Sequence, residues 1–79
     1  VDMHPVHLTR VFRTYYRVSI GTFLRRLRLD WAASQLATAP DSLADIALQA
    51  GFADQSHFTR AFKKYTGVTP GHYRRALRA

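Results

Sequence analysis

The stretch SLADIALQAGFADQSHFTRAFKKYTG, which runs from Ser42 to Gly67, decides the fold of this chain. It opens with Ser42 and, three residues later, Asp45, a capping-box pattern with a shorter acid than usual, which predicts the start of a helix. Apolar residues then recur at the spacing of one helical face: Leu43, Ile46, Ala47 and Ala50. Gly51 supplies the left-handed residue that commonly ends a helix, so a short helix is expected here.

A second helix is predicted directly after this one. Asp54 is a suitable N-cap, and the apolar residues that follow again keep helical spacing as far as Gly67: Phe58, Ala61, Phe62 and Tyr65. The connection from Gly51 to Asp54 is short and contains glycine. A short helix, a tight turn and a second helix form the helix-turn-helix motif, whose second helix enters the major groove of DNA.

The outer face of the predicted second helix carries hydrogen-bonding side chains: Gln55, Ser56, Thr59, Arg60 and Lys63. An arginine can bind guanine O6 and N7 with two hydrogen bonds, and a glutamine can do the same with adenine N6 and N7. Lys64 follows on the same helix and is expected to contact DNA phosphates. We therefore predict that these six residues bind DNA; the plainer reading is an amphipathic helix with a solvated face.

The chain repeats itself. Shifted by fifty positions, residues 6–29 align without a gap to residues 56–79 with ten identities in 24 pairs. The identical pairs are His7/His57, Thr9/Thr59, Arg10/Arg60, Phe12/Phe62, Tyr15/Tyr65, Val18/Val68, Gly21/Gly71, Arg25/Arg75, Leu27/Leu77 and Arg28/Arg78. Two copies are too few for a solenoid, so the repeat indicates a small helical module used twice. The first-copy counterparts of the outer face include Val6, Thr9, Arg10 and Arg13, which we also predict to bind DNA.

The charge distribution agrees with two like surfaces. Lys and Arg total 12 against five acids, all of them aspartates, which gives a formal net charge of +7. Six of the bases lie between Met3 and Leu29, six follow Gln55, and neither block contains an acid. Two basic blocks around an acidic middle favour a polyanionic partner. We predict that this partner is DNA. The alternative is that the chain is a basic helical module whose partner is an acidic protein or an anionic membrane surface.

A long helix is predicted between the two copies, from Ile20, after the cap Ser19, to about Ala39. It carries two apolar stripes: Ile20, Leu24, Leu27 and Trp31 on one line, and Leu29, Ala32, Ala33 and Leu36 on the other. One globular surface needs one stripe, so we expect its first half to pack on the first module and its second half on the second, with Trp31 in a core. A last helix should start at Thr69-Pro70.

These residues resemble the AraC/XylS family of bacterial transcription regulators. The resemblance rests on Gly51-Phe52, Gln55-Ser56-His57-Phe58, Arg60, Phe62-Lys63, Gly67, Thr69-Pro70 and Tyr73-Arg74, and on a linker-like Arg25 to Leu29 followed by Ala32, Ala33 and Leu36. It implies an all-α fold with two helix-turn-helix units joined by a long linker helix, and recognition helices in successive major grooves of double-stranded DNA. The base-reading positions would be Val6, Thr9, Arg10, Gln55, Ser56 and Arg60, and RNA polymerase would be a partner of the full-length regulator.

The resemblance also implies that the first unit is incomplete, because the family has two helices ahead of the first recognition helix. We therefore divide the chain into residues 1–17, a remnant of the first unit, residues 18–40, the linker helix, and residues 41–79, the complete second unit with a C-terminal helix. Residues 42–77 are expected to be the stable part, and residues 1–16 to be mobile, displaced or packed on another copy. Arg17 stands where the second copy has Gly67, so a left-handed backbone there would cost about 1 kcal/mol.

Other functions find little support in the sequence. With 79 residues the chain is too short for most enzymes, and it has neither a glycine-rich phosphate loop nor a nucleophile arrangement. It contains no cysteine, and His4 and His7 have no further candidate ligand nearby except Asp2, so we expect no metal and no cofactor. The longest apolar runs are three residues, which is too short to span a bilayer, and a cytoplasmic location is expected.

Overall fold

The computed structural model describes residues 17–78, which form helices and no strands. The helices are α1 (Ile20–Thr38), α2 (Leu43–Gln49), α3 (Gln55–Thr66) and α4 (Pro70–Arg78). The predicted all-α fold is confirmed, and all four helices occur where the sequence predicts them. The division of the chain at residues 17 and 40 stays a prediction.

Each of these helices begins at the side-chain cap that the sequence predicts. The cap oxygen accepts a hydrogen bond from the backbone N–H three residues on: Ser19 from Thr22 at 3.1 Å, Ser42 from Asp45 at 3.1 Å, Asp54 from His57 at 2.7 Å and Thr69 from His72 at 3.2 Å. Such a bond satisfies one of the donors that a helix N-terminus leaves unpaired and stabilises the helix by about 1 kcal/mol. Local sequence therefore fixes where the helices begin.

The core lies where α1, α2 and α3 meet. Its buried residues are Leu29, Ala32 and Leu36 of α1, Ile46, Ala47 and Ala50 in and after α2, Phe52 of the turn, and Phe58 and Phe62 of α3. Tyr73 of α4 closes one side with its ring edge against Phe62, at a centroid distance of 5.4 Å. The second helix-turn-helix unit and the second half of α1 thus share a single core.

The two stripes of α1 differ in their surroundings. The stripe containing Leu29 and Leu36 is buried, as predicted. The other stripe is not: Leu24, Leu27 and Trp31 are 50%, 48% and 40% exposed, so the expectation that Trp31 lies in a core is wrong. Trp31 points away from the second unit because it occupies the opposite side of α1, and the residues expected to cover that side lie outside the described part of the chain.

Two arginines of α4 hold the end of α1. Arg74 donates from Nε to the carbonyl of Leu36 at 3.2 Å and from a terminal nitrogen to that of Ala39 at 3.1 Å, and Arg78 donates to the Ala39 carbonyl as well. The last turn of a helix has free carbonyls and a partial negative charge, and α1 has no basic residue of its own there. α4 therefore supplies the C-terminal cap of α1.

The repeat is also visible in the backbone. Gly67, which ends α3, has φ of 91°, and Arg17, fifty positions earlier, has φ of 57°. Both are followed two residues later by a capping residue, Ser19 and Thr69, and then by a helix. The backbone of the first copy is thus left-handed at the same position as that of the second, and this region of high energy for an L-residue is occupied there by an arginine.

Arg17→Gly should raise the free energy of unfolding by about 1 kcal/mol, because glycine adopts positive φ without steric cost. Gly67→Ala should lower it by a similar amount, about 1 kcal/mol, for the converse reason. Urea unfolding followed by circular dichroism measures both. An unchanged or reduced stability of Arg17→Gly would show that the left-handed backbone carries no strain in solution.

Arg74→Met should lower the free energy of unfolding by about 1–3 kcal/mol, because the carbonyl of Leu36 loses its side-chain donor and that of Ala39 keeps only Arg78. Arg75→Met is the matched control on an exposed neighbouring position and should change it by less than about 0.5 kcal/mol. Thermal unfolding of the two variants side by side gives the comparison. Equal losses would mean that the contacts of Arg74 contribute nothing specific.

Candidate nucleic-acid interface

The two sides of α3 have opposite characters. Phe58 and Phe62 are completely buried and fasten the helix to the core. Six predicted DNA-binding residues lie on the remaining surface, five of them exposed and Thr59 half-buried: Gln55, Ser56, Thr59, Arg60, Lys63 and Lys64. The structure therefore brings all second-unit candidates together on one helix, turned away from the core.

The first two turns of α3 present a shallow concave surface of about 380 Å³, lined by Gln55, Ser56, Thr59 and Arg60. No side-chain hydrogen bond or ion pair of these four residues is found in the structure of residues 17–78, so their donors and acceptors are available to a partner. An amide, two hydroxyls and a guanidinium can recognise the edges of base pairs by hydrogen bonds. This arrangement suits the recognition of a polar surface.

The turn between α2 and α3 is held from outside by Arg28 of α1. Gly51 adopts φ of 91°, which only glycine does without cost. The guanidinium carbon of Arg28 lies 5.7 Å from the ring centroid of Phe52, at the distance of a cation–π contact, and Phe52 in turn meets the ring of His57 edge-on at 5.4 Å. A Cβ placed on Gly51 would lie 3.0 Å from a terminal nitrogen of Arg28. Arg28 therefore covers the turn that sets the direction of α3 relative to α2.

Sequence reasoning placed Arg28 in the linker pattern and in the repeat but did not foresee this role. The available signal was its recurrence as Arg78, which is likewise used to hold another element, at the carbonyl of Ala39. Tyr65 is a second residue whose surroundings differ from those that its spacing predicts. Predicted on the apolar side of α3, it is 42% exposed, and its hydroxyl donates to Asp30 of α1 at 2.9 Å.

The contact with Asp30 defines the state of Tyr65. The hydrogen bond to the carboxylate, followed by burial and by the negative charge of Asp30, raises the pKa of Tyr65 above its usual value, while the charge of Arg26 acts in the opposite direction. Tyr65 is therefore a neutral donor at any physiological pH. The bond ties the last turn of α3 to the middle of α1.

The first-unit candidates Val6, Thr9, Arg10 and Arg13 lie outside the described residues and stay predictions. So do His4 and His7. Within residues 17–78 no three His, Cys, Asp or Glu side chains come together in a way that could hold a metal ion. No helix in this range is both long and apolar enough to cross a membrane.

Comparisons with known proteins agree with this geometry. A family model described as a helix-turn-helix domain matches residues 1–76. The probable transcription factor PqrA of Proteus vulgaris is 41% identical over 68 residues, which cover 86% of this chain and 56% of that protein. The HTH-type transcriptional regulator MtrA of Neisseria gonorrhoeae is 36% identical over 74 residues, covering 94% and 25% respectively. The chain thus spans about half the length of the first relative and a quarter of the second.

A solved structure shows the same fold. The AraC-type transcriptional regulator from Chromobacterium violaceum superposes with a TM-score of 0.89 at 26% sequence identity, over 91% of this chain and 64% of that one. The family model extends from residue 1 into α4 and so includes α2 and α3. The chain belongs to the AraC/XylS family of DNA-binding transcription regulators and contains its AraC-type helix-turn-helix domain.

Proposed function

We propose that this chain binds double-stranded DNA sequence-specifically, as the DNA-binding part of a bacterial transcription regulator, with α3 in the major groove. The observation that carries the proposal is the complete burial of Phe58 and Phe62, which turns the outer face of α3 to solvent. The polar side chains on that face have no partners within the described chain. In a helix-turn-helix motif the second helix presents such a face to base edges.

The exposed residues of α3 divide into those that contact bases and those that contact phosphates. Arg60 and Gln55 have the planar groups that bind guanine and adenine with paired hydrogen bonds, and Ser56 and Thr59 supply shorter hydroxyls between them. Lys63 and Lys64, in the last turn of the helix, contact phosphates as point charges and fix the position of the helix on the duplex.

A second recognition helix, carrying Val6, Thr9, Arg10 and Arg13, occupies the next major groove on the same DNA face, about 10 base pairs away. The sequence repeat supports this. Because Val6 and Ser56 occupy equivalent positions with different chemistry, the two half-sites differ in sequence. RNA polymerase is a further partner of a full-length regulator that contains this domain.

Binding of an acidic protein or an anionic surface by a generic basic module is the weaker candidate. The family match favours DNA, and the apolar side of α3 is committed to the core and is not free to enter a membrane. A compact helical chain with no preference for duplex DNA over heparin would favour this alternative.

Arg60→Ala should weaken binding to a duplex obtained by in vitro selection by about 1–3 kcal/mol and relax base preference at one position. Lys64→Ala, which removes a phosphate contact, should weaken selected and random duplexes alike and reduce the salt slope by about 1. Fluorescence anisotropy titrations with both duplexes distinguish the two outcomes. Equal losses for Arg60→Ala on both duplexes would demote Arg60 to a backbone contact.

In an intact domain with both units complete, the affinity for DNA should fall by about a thousandfold or more between 50 and 200 mM salt if six or more phosphates are contacted. Titrations at several salt concentrations give this slope, and footprinting of the selected site gives its extent. A shallow slope, or a perfectly palindromic site occupied by one monomer, would contradict the two-unit model.

A further inference from the structure

A second concave surface lies beside the base-reading face, between the first half of α1 and the last turns of α3. It has a volume of about 460 Å³, and the charged side chains along it are Arg25 and Arg26 of α1 and Lys64 of α3, joined by the hydroxyls of Thr22 and Tyr65. We call it the α1–α3 groove. Neither the predicted DNA-binding residues nor the comparisons assign a role to Arg25, Arg26 or Thr22.

The bases of this groove outnumber the acid beside it. Arg25, Arg26 and Lys64 make no ion pair or side-chain hydrogen bond within residues 17–78. The carboxylate of Asp30, one helical turn after Arg26, keeps its negative charge while it accepts a hydrogen bond from the hydroxyl of Tyr65 at 2.9 Å, so it balances only part of the positive charge. Three cations along one cleft repel each other, and this arrangement favours an anionic ligand that neutralises several of them together.

The groove also offers a neutral donor. The hydroxyl oxygen of Thr22 accepts a hydrogen bond from the hydroxyl of Ser19 at 3.0 Å. Thr22 has no other side-chain partner within residues 17–78, so its own hydroxyl proton is free to be donated. A phosphate oxygen accepts such bonds from hydroxyls and guanidinium groups alike. Arginine is particularly suited, because its planar fork can bind two oxygens of one phosphate.

The groove continues the surface of α3. Lys64 follows Arg60 by four residues, one helical turn, and so lies directly beside it at the border between the outer face and the groove. When a helix enters a major groove, the sugar-phosphate strands run along both of its sides. Arg25 and Arg26 line the same groove as Lys64, on its α1 side.

We propose that the α1–α3 groove holds consecutive phosphates of the DNA strand that borders the major groove occupied by α3. The linker helix is then a DNA-contacting element, with Arg25, Arg26 and Thr22 as its contacts, in addition to a connection between two units. This rests on the proposed function, since the strand reaches the groove only when α3 is docked. The contacts involve phosphates alone and add affinity without base preference.

The double variant Arg25→Gln/Arg26→Gln tests this proposal in the full 79-residue chain, by anisotropy titrations on the selected and on a random duplex at several salt concentrations. Both side chains are exposed, so the fold should be kept, which circular dichroism checks. We expect about ten- to a hundredfold weaker binding at 0.1 M salt, equally on both duplexes, and a salt slope shallower by about 1–2, since each phosphate contact contributes about 0.9.

Two further variants make the result specific. Arg17→Gln/Arg75→Gln removes the same charge from exposed positions outside the groove and should change the slope by less than half as much. Arg25→Lys/Arg26→Lys keeps the charges and should retain most of the slope. An equal slope change in the outside variant, or no change in the groove variant, overturns the proposal.

The outcomes separate this inference from the proposed function. If the wild-type chain shows no preference for duplex DNA over heparin, the proposed function fails. If the wild type binds its selected duplex and the groove variant binds it equally well at every salt concentration, only the groove proposal fails. A groove variant that binds DNA normally but loses affinity for polyglutamate would assign the groove to an acidic protein and overturn the phosphate assignment.

Discussion

Phe58 and Phe62 project from the same side of α3 into the core, and their burial decides the direction in which the other side of that helix faces. Their rings belong to a continuous row with Phe52 and Tyr73, in which neighbouring centroids lie 5.4–5.6 Å apart. The row joins the turn, α3 and α4 into one body. Aromatic pairs at these distances contribute specific geometry in addition to the area they bury. Packing of the apolar side of α3 therefore sets the direction in which its polar side faces.

The helix starts and the inner and outer sides of α3 could be predicted because their causes are local. A cap such as Asp54 acts on a backbone N–H three residues away, and apolar spacing shows which side of a helix is buried. The repeat alone did not decide whether Arg17 is left-handed, because an arginine stands there in place of the glycine of the second copy. The DNA-binding candidates of α3 followed from the same periodicity, whereas those before residue 17 lie beyond the described chain.

The remaining features depend on contacts between distant parts of the chain. Trp31 lies on an apolar stripe, which predicts a place in a core. A stripe shows which side of a helix is apolar, but it does not identify the element that packs against that side. The hydrogen bonds of Arg74 to Leu36 and of Tyr65 to Asp30 join residues 38 and 35 positions apart, and Arg28 reaches a turn that follows α2. Nothing in the local pattern of an arginine or tyrosine reveals such a partner. These contacts nevertheless determine how α3 and α4 are set against α1.

The two left-handed glycines of the second unit differ in how freely they can vary among relatives. Gly51 and Gly67 share φ of 91°, yet a Cβ on Gly67 meets nothing within 4 Å, whereas one on Gly51 meets Arg28. Position 67 is therefore open to asparagine, or even to arginine as its counterpart Arg17 shows, at a modest cost in backbone energy. At position 51 a larger residue also requires that the flexible side chain of Arg28 move aside, away from its place over the turn. A side chain at position 51 therefore disturbs the contact of Arg28 with Phe52 as well as the backbone, whereas one at position 67 has a cost in the backbone alone.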